Sequence, residues 1–118
     1  MGFEIIFYMK ENGESPIDDF LINLPVKMRA KAVGMISLLE EKGNLLREPY
    51  SKYLKDGIFE LRCKQGSDIT RVLYFFYYGN KIVLTNGFVK KTQKTPPSEL
   101  RLAKRRRADY IERQGESK

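Results

Sequence analysis

Near the start of the chain, an apolar run rich in strand-forming residues is followed by apolar residues at helical spacing. The segment FEIIFYM, residues 3–9, is rich in β-branched and aromatic residues and ends at the turn-like KENGES, which predicts a strand. Ser15 is a good N-cap and Pro16 suits the first helical position, so a short helix follows. The predicted apolar face of this helix consists of Ile17, Phe20, Leu21 and Leu24.

A second helix is predicted to begin at Pro25, which ends the first one, and to stop at Gly43. Helical spacing assigns its apolar face to Val26, Ala30, Val33, Ile36, Leu38 and Leu39. The two helices are therefore expected to form an antiparallel helical hairpin.

The pattern changes after residue 55. GIFELRCK, DITRVLYFFYY and NKIVLTNGFV are extended segments separated by QGS and GN, short turns that suit β-hairpins. PPSELRLAKRRRADYIERQ then predicts a final helix with proline in its first turn. The predicted order is βααβββα, an α+β fold in which the helical hairpin packs on a twisted antiparallel sheet. One domain spans residues 1–118.

Alternation within the extended segments assigns side chains to faces of the sheet. Phe59, Leu61 and Cys63 share one face, which predicts a core position and a small buried apolar role for Cys63. Glu60, Arg62 and Lys64 share the other face.

Arg71 alternates with apolar residues in DITRVLYFFYY, so a charge lies in an otherwise apolar segment. One interpretation is a cross-strand ion pair with Glu60, for which Arg62 would compete. The other interpretation is a functional role for the guanidinium.

Composition excludes several kinds of site. The chain has one cysteine and no histidine, which rules out an intramolecular disulfide, a cysteine metal cluster and histidine general-base chemistry. The N-terminus lacks the pattern of a signal peptide, and no run of about 18 apolar residues occurs. A cytoplasmic protein without metal or cofactor is expected.

Charge is distributed unevenly. Residues 1–50 carry 6 Lys and Arg against 8 Asp and Glu, whereas residues 51–118 carry 16 against 7. Such a cationic half attracts polyanions, although solubility alone is the plainer explanation. The cluster Lys104, Arg105, Arg106 and Arg107 is either a solvated helix face or a contact for RNA phosphates, and Lys52 and Lys55 extend the same predicted patch.

The segment from FELRCK through RVLY and GFVKKTQKTP to the basic final helix resembles the RelE superfamily of type II toxin–antitoxin toxins, in its phage-related HigB-like branch. The resemblance is close over residues 58–110 and holds only as a pattern over the helical hairpin. It implies a RelE-like fold and a ribosome-dependent mRNA interferase that cuts translated mRNA in the A site.

The same resemblance implies metal-independent attack by the RNA 2′-OH. Such a reaction requires a base, a clamp for the phosphate and an acid for the departing oxygen. Arg62 and Arg71 suit the clamp, because guanidinium matches phosphate with two parallel donors. Lys90, Lys91 and Lys94 are candidates for base or acid, because lysine can lose its proton when other cations crowd it.

Partners are also implied by the resemblance: the ribosome, mRNA and a cognate helix-turn-helix antitoxin, in a heterotetramer. A ParE-like inhibitor of DNA gyrase and a non-catalytic RNA-binding module remain as alternatives. Among the tyrosines, Tyr74 is expected in the core and Tyr77 and Tyr78 could stack on bases. Helix packing is the favoured role of Tyr110, on a stripe with Leu100, Ala103 and Ile111.

Overall fold

Strands and helices account for most of residues 2–90 and 94–116, which are the residues described by the computed structural model. A short 3-10 turn, Gly43–Leu45, follows the second helix. In chain order the elements are β1 (Glu4–Phe7), α1 (Pro16–Ile22), α2 (Val26–Lys42), β2 (Ser51–Lys55), β3 (Ile58–Gln65), β4 (Asp68–Tyr77), β5 (Lys81–Val89) and α3 (Pro97–Glu116).

The strands form one mixed sheet in the order β1-β5-β4-β3-β2. β1 runs parallel to β5, and the other neighbouring pairs are antiparallel. The α+β class is confirmed, but the predicted order βααβββα and the antiparallel sheet were wrong, because the order is βααββββα and the sheet is mixed. β2 was missed because SKYLK has two lysines and no clear alternation; the direction of β1 leaves no trace in its own periodicity.

α1 and α2 cover one face of the sheet. Ile17 and Leu21 of α1 are buried there, as predicted, together with Leu24 just beyond the helix. The strands contribute Leu61, Cys63, Val72, Tyr74, Ile82 and Leu84 to the same core. Phe59 packs partly buried against it, which confirms the predicted core face of β3.

The apolar face of α2 matches the predicted one only in part: Ile36 and Leu39 are buried as predicted, and Leu38 packs partly buried against the core. Val26 and Val33 are exposed, and the buried residues are Met28, Ala32, Met35, Ile36 and Leu39. Both stripes are apolar and follow helical spacing, so periodicity alone did not select between them. The predicted end of the helix at Gly43 is confirmed, because Gly43 has a φ of 52° at the C-cap.

The opposite face of the sheet is covered by α3. Tyr110 packs edge-on against Phe75 and Tyr77, with ring centroids 6.0 and 5.2 Å apart, which confirms its predicted packing role. Ala103 and Leu100 join this second core, but Ile111 is exposed, contrary to the predicted stripe. Both faces of the sheet are therefore covered, which explains the long apolar run of β4.

α3 is held against the end of β1 by polar contacts. The Tyr8 hydroxyl donates to Asp109 Oδ2 at 2.6 Å, and Arg113 donates to the same carboxylate at 2.7 Å. The guanidinium groups of Arg106 and Arg113 both lie over the Tyr8 ring. None of the helices in the described part of the chain is long and apolar enough to cross a bilayer.

Candidate active site

The register of the three central strands brings the predicted cations to one face. Arg62 of β3 lies directly opposite Arg71 of β4, and Arg71 lies opposite Phe88 of β5. The backbone N–H of Lys90, two residues after Phe88, donates to the carbonyl of Ile69 at 2.9 Å, which continues the pairing. Because side chains alternate along strands, Arg62, Arg71 and Lys90 project to the face that α3 covers.

Two arginines opposite each other repel, and Glu60 compensates for that repulsion. Arg71 Nη1 donates to Glu60 Oε1 at 2.7 Å, and Arg62 Nε donates to the same oxygen at 3.4 Å. The Thr95 hydroxyl donates to Glu60 Oε2. The predicted cross-strand pair of Arg71 with Glu60 is confirmed, and so is the competition from Arg62, because one carboxylate oxygen serves both.

The two arginines differ in exposure. The side chain of Arg71 is 5% exposed, and its Nε is buried without a partner among the described residues, whereas the side chain of Arg62 is 25% exposed. Burial, as the largest cause, lowers the pKa of Arg71 from its ordinary value. Arg62 reaches the surface, where its Nη1 lies 3.6 Å from Glu48 Oε1. Arg62 is thus the arginine that a ligand can contact directly.

Lys90 lies at the edge of the same group, half-buried. Burial and then the positive charge of Arg71 lower the pKa of Lys90 from its ordinary value. Arg62 and Lys52 lower the pKa of Lys90 further, and Glu60 opposes them. A lysine in such surroundings loses its proton more readily than an exposed one, as general-base chemistry requires.

Two clefts meet at Arg62. One, of about 440 Å³, lies between β3, β4 and α2 and is lined by Tyr50 and Arg71 as well as by Arg62. The other, of about 280 Å³, lies toward β2 and the start of α3, and Glu60 and Thr95 line it. Arg62 therefore lines both spaces.

The predicted catalytic residues have different outcomes. Arg62, Arg71 and Lys90 are brought together on one face, and Lys94 lines the second cleft beside Arg62 and Glu60. Lys91 lies outside the described residues.

The predicted RNA-binding residues divide into two groups. Lys52 and Lys55 of β2 are exposed and line the second cleft. The cluster on α3 instead has partners within the protein, apart from the exposed Arg105. Lys104 forms an ion pair of 2.8 Å with Asp56, Arg107 donates to the Asp56 carbonyl, and Arg106 donates to the Thr85 carbonyl at 2.9 Å. These three side chains contribute to holding α3 against the sheet, and their contact with RNA phosphates stays a prediction.

Sequence reasoning treated Glu60 only as a partner for arginine and overlooked Thr95. Glu60 lies two residues before Arg62 on the same face of a buried strand. An acidic residue at such a position is a signal from which a site residue could have been predicted. Thr95 is 35 positions away from its acceptor, so no local pattern relates them.

Cys63 and Tyr74 are structural. Burial raises the pKa of the Cys63 thiol to about 12, so the nucleophilic thiolate is suppressed. Tyr74 is buried, as predicted, and its hydroxyl shares a 2.5 Å hydrogen bond with Ser51. No group of three or more His, Cys, Asp and Glu side chains suited to a metal ion occurs within residues 2–90 and 94–116.

Comparison with known proteins identifies the family. The family described as "Phage derived protein Gp49-like (DUF891)" matches residues 19–108, a range that includes both arginines, Lys90 and Lys94. No curated protein matches the chain. The family consists of RelE-like, toxin-like proteins associated with toxin–antitoxin systems, which implies an antitoxin partner. The chain therefore belongs to the Gp49-like family of phage-derived, RelE-like toxin proteins.

Proposed function

We propose that this chain is a HigB-like toxin of a type II system and acts as a ribosome-dependent mRNA interferase, cutting translated mRNA in the A site. The observation that carries the proposal is the grouping of Arg62, Arg71 and Lys90 around the single carboxylate of Glu60. These three cations outnumber the two carboxylates near them, Glu60 and the more exposed Glu48, and leave a net positive site. Such a site attracts a phosphodiester and favours the extra negative charge of its transition state.

Arg62 is the proposed clamp for the scissile phosphate. It is the more exposed arginine, and its planar guanidinium can donate two parallel hydrogen bonds to the non-bridging oxygens. Arg71 lies deeper in the protein than Arg62, and burial strengthens the electrostatic attraction between its charge and the phosphate. Glu60 fixes both guanidinium groups and so makes the site rigid before RNA binds.

Lys90 is the proposed general base, because burial and Arg71 lower its pKa. Neutral Lys90 takes the proton of the 2′-OH, the 2′-oxygen forms a bond to phosphorus, and the bond from phosphorus to the 5′-oxygen breaks. Lys94 or Lys91, in the ammonium form, donates a proton to the departing 5′-oxygen. The products are a 2′,3′-cyclic phosphate and a 5′-hydroxyl, and no step in this scheme uses a metal.

Partners follow from the family and the charge distribution. The basic residues of positions 51–118 suit ribosomal RNA, whose phosphates would orient the toxin without reading sequence. The proposed antitoxin is a helix-turn-helix protein that covers the active site in a heterotetramer. Such an antitoxin is needed because uncontrolled cleavage of translated mRNA would be lethal.

The decisive experiment maps RNA ends after brief expression of the toxin. With the wild type we expect new 5′ ends inside translated frames that disappear when the start codon of the reporter message is removed. Arg62→Ala should abolish these ends, whereas Arg101→Ala, an exposed arginine of α3, should leave them unchanged. Ends that persist in untranslated messages would contradict ribosome dependence.

The same experiment separates the two alternatives. Growth arrest with intact messages and with DNA damage would identify a gyrase inhibitor. Binding of RNA without any new ends, weakened gradually by each lysine replacement, would identify a non-catalytic binding module.

A further inference from the structure

The larger cleft beside Arg62 combines apolar walls with positive charge. Ile69, Met35 and the ring of Tyr50 contribute apolar surface, and the cations at its walls are Lys31, Arg62, Lys64 and Arg71. None of the described residues that line it is acidic. Its volume of about 440 Å³ falls within the range typical of small-molecule sites.

Tyr50 is available to a ligand. Its side chain is 49% exposed, and among the described residues the ring forms no aromatic pair and the hydroxyl no hydrogen bond. Its backbone is nevertheless fixed, because the Tyr50 carbonyl accepts a 2.8 Å hydrogen bond from the Arg62 backbone N–H. The backbone of Tyr50 is thus bonded directly to the residue proposed to hold the scissile phosphate.

From this arrangement we infer that the cleft is a nucleotide subsite, in which Tyr50 stacks on the base of a nucleotide that neighbours the scissile phosphate of single-stranded RNA. An unstacked base has a flat apolar face for the tyrosine, and its phosphates match the surrounding cations. Arg62 lines both clefts, so the strand can pass from one to the other alongside this residue. This inference rests on the proposed function and adds where the flanking base binds.

The test measures binding without cleavage. Four 2′-O-methyl RNA tetranucleotides, oligo(A), oligo(C), oligo(G) and oligo(U), lack the attacking hydroxyl and are titrated into the full chain by heteronuclear NMR. We expect amide shifts concentrated at Tyr50, Arg62 and Ile69. Tyr50→Ala should weaken binding of the tightest tetranucleotide about 5- to 150-fold, the range for loss of one base stack.

Matched variants control the result. Ile22→Ala removes another exposed apolar side chain, at the end of α1, and should change binding less than twofold. Tyr50→Phe retains the ring and should bind within threefold of the wild type. Lys31→Gln should weaken binding more than Lys42→Gln, since both are exposed lysines of α2 but only Lys31 lines the cleft.

The inference is overturned if Tyr50→Ala binds within twofold of the wild type, if Tyr50→Phe loses as much as Tyr50→Ala, or if the shifts map to the basic cluster of α3. Its failure is distinguishable from failure of the proposed function. Message cleavage that survives Tyr50→Ala with unchanged cut sites overturns the subsite alone, whereas shifts at Tyr50 without message cleavage by the wild type contradict the nuclease alone.

Discussion

Glu60 and Arg71 form an ion pair of 2.7 Å between neighbouring strands, with side chains only 3% and 5% exposed. A buried pair of this kind adds little stability compared with apolar residues, but breaking it leaves an uncompensated charge in the interior. The same carboxylate also accepts from Arg62 and Thr95, so three side chains are ordered by one acid. The site is therefore coupled to folding, and its variants require stability measurements beside activity measurements.

Replacing Glu60 by alanine should lower the free energy of unfolding by about 3–5 kcal/mol, because the Arg71 guanidinium is left buried and unpaired. Urea denaturation measures the change. Lys104→Ala is the matched control, since its pair with Asp56 is exposed and should contribute much less. An equal effect of the two replacements would show that the buried pair contributes no more than a surface pair.

Arg62→Ala should reduce the rate of RNA cleavage about 10²- to 10³-fold, the usual cost of removing one donor from a charged transition state. Arg62→Lys should recover only part of the rate, because an ammonium group cannot form two parallel hydrogen bonds. Single-turnover cleavage on programmed ribosomes measures both. Full activity in Arg62→Lys would contradict bidentate binding.

The proposed role of Lys90 as general base leads to a prediction for the pH dependence of cleavage. A base must be neutral, so the rate should rise about tenfold per pH unit below the pKa of Lys90 and then level off. Because burial and Arg71 lower that pKa, levelling should begin below the ordinary value of 10.5. Lys90→Arg should be slow and lack the rise, whereas Lys81→Arg, at the other end of β5, should retain it. A rate that falls with rising pH would assign Lys90 as the acid instead.

The lowered pKa of Asp109 in the folded protein leads us to expect a loss of stability at acidic pH. The hydrogen bond from Tyr8, with help from Arg113, lowers the pKa of Asp109 below its ordinary value of 3.8. The folded state thus binds fewer protons than the unfolded state, so this contribution is present above pH 3.8 and is lost as the pH falls through the folded pKa. Asp109→Asn should flatten this part of the stability curve, and Tyr8→Phe should flatten it partly. Unchanged curves in both variants would contradict the linkage.

Gly43→Ala should destabilise the fold by more than about 2 kcal/mol. Gly43 has a positive φ of 52°, and a Cβ there would lie 1.9 Å from the Phe3 ring. Gly34→Ala is the control: it lies exposed within α2 with open space around it, and should stabilise by up to about 1 kcal/mol. Thermal denaturation of both variants measures whether their stabilities change in these opposite directions.

Local patterns were sufficient for several features. Ser15, Pro16 and Gly43 mark helix ends that the structure confirms, because caps depend on side chains only a few residues apart. Alternation assigned Leu61 and Cys63 to the core and Arg62 to the opposite face for the same reason. The predicted face of α2 was right for Ile36 and Leu39 but wrong for Val26 and Val33, because two apolar stripes fit the helical period and only contact with the sheet decides between them.

The sequence by itself determined the α+β class, most of the elements, the cationic second half and the type of residue at the candidate site. Tertiary structure alone decided the direction of β1 and the existence of β2 as an edge strand. It also decided that Arg62, Arg71 and Thr95 all donate hydrogen bonds to the Glu60 carboxylate. It also showed three cations of α3 in contacts that hold the helix. The physical reason is range: caps and alternation act over a few residues, whereas strand pairing and ion pairs join residues that only the complete fold brings within hydrogen-bonding distance.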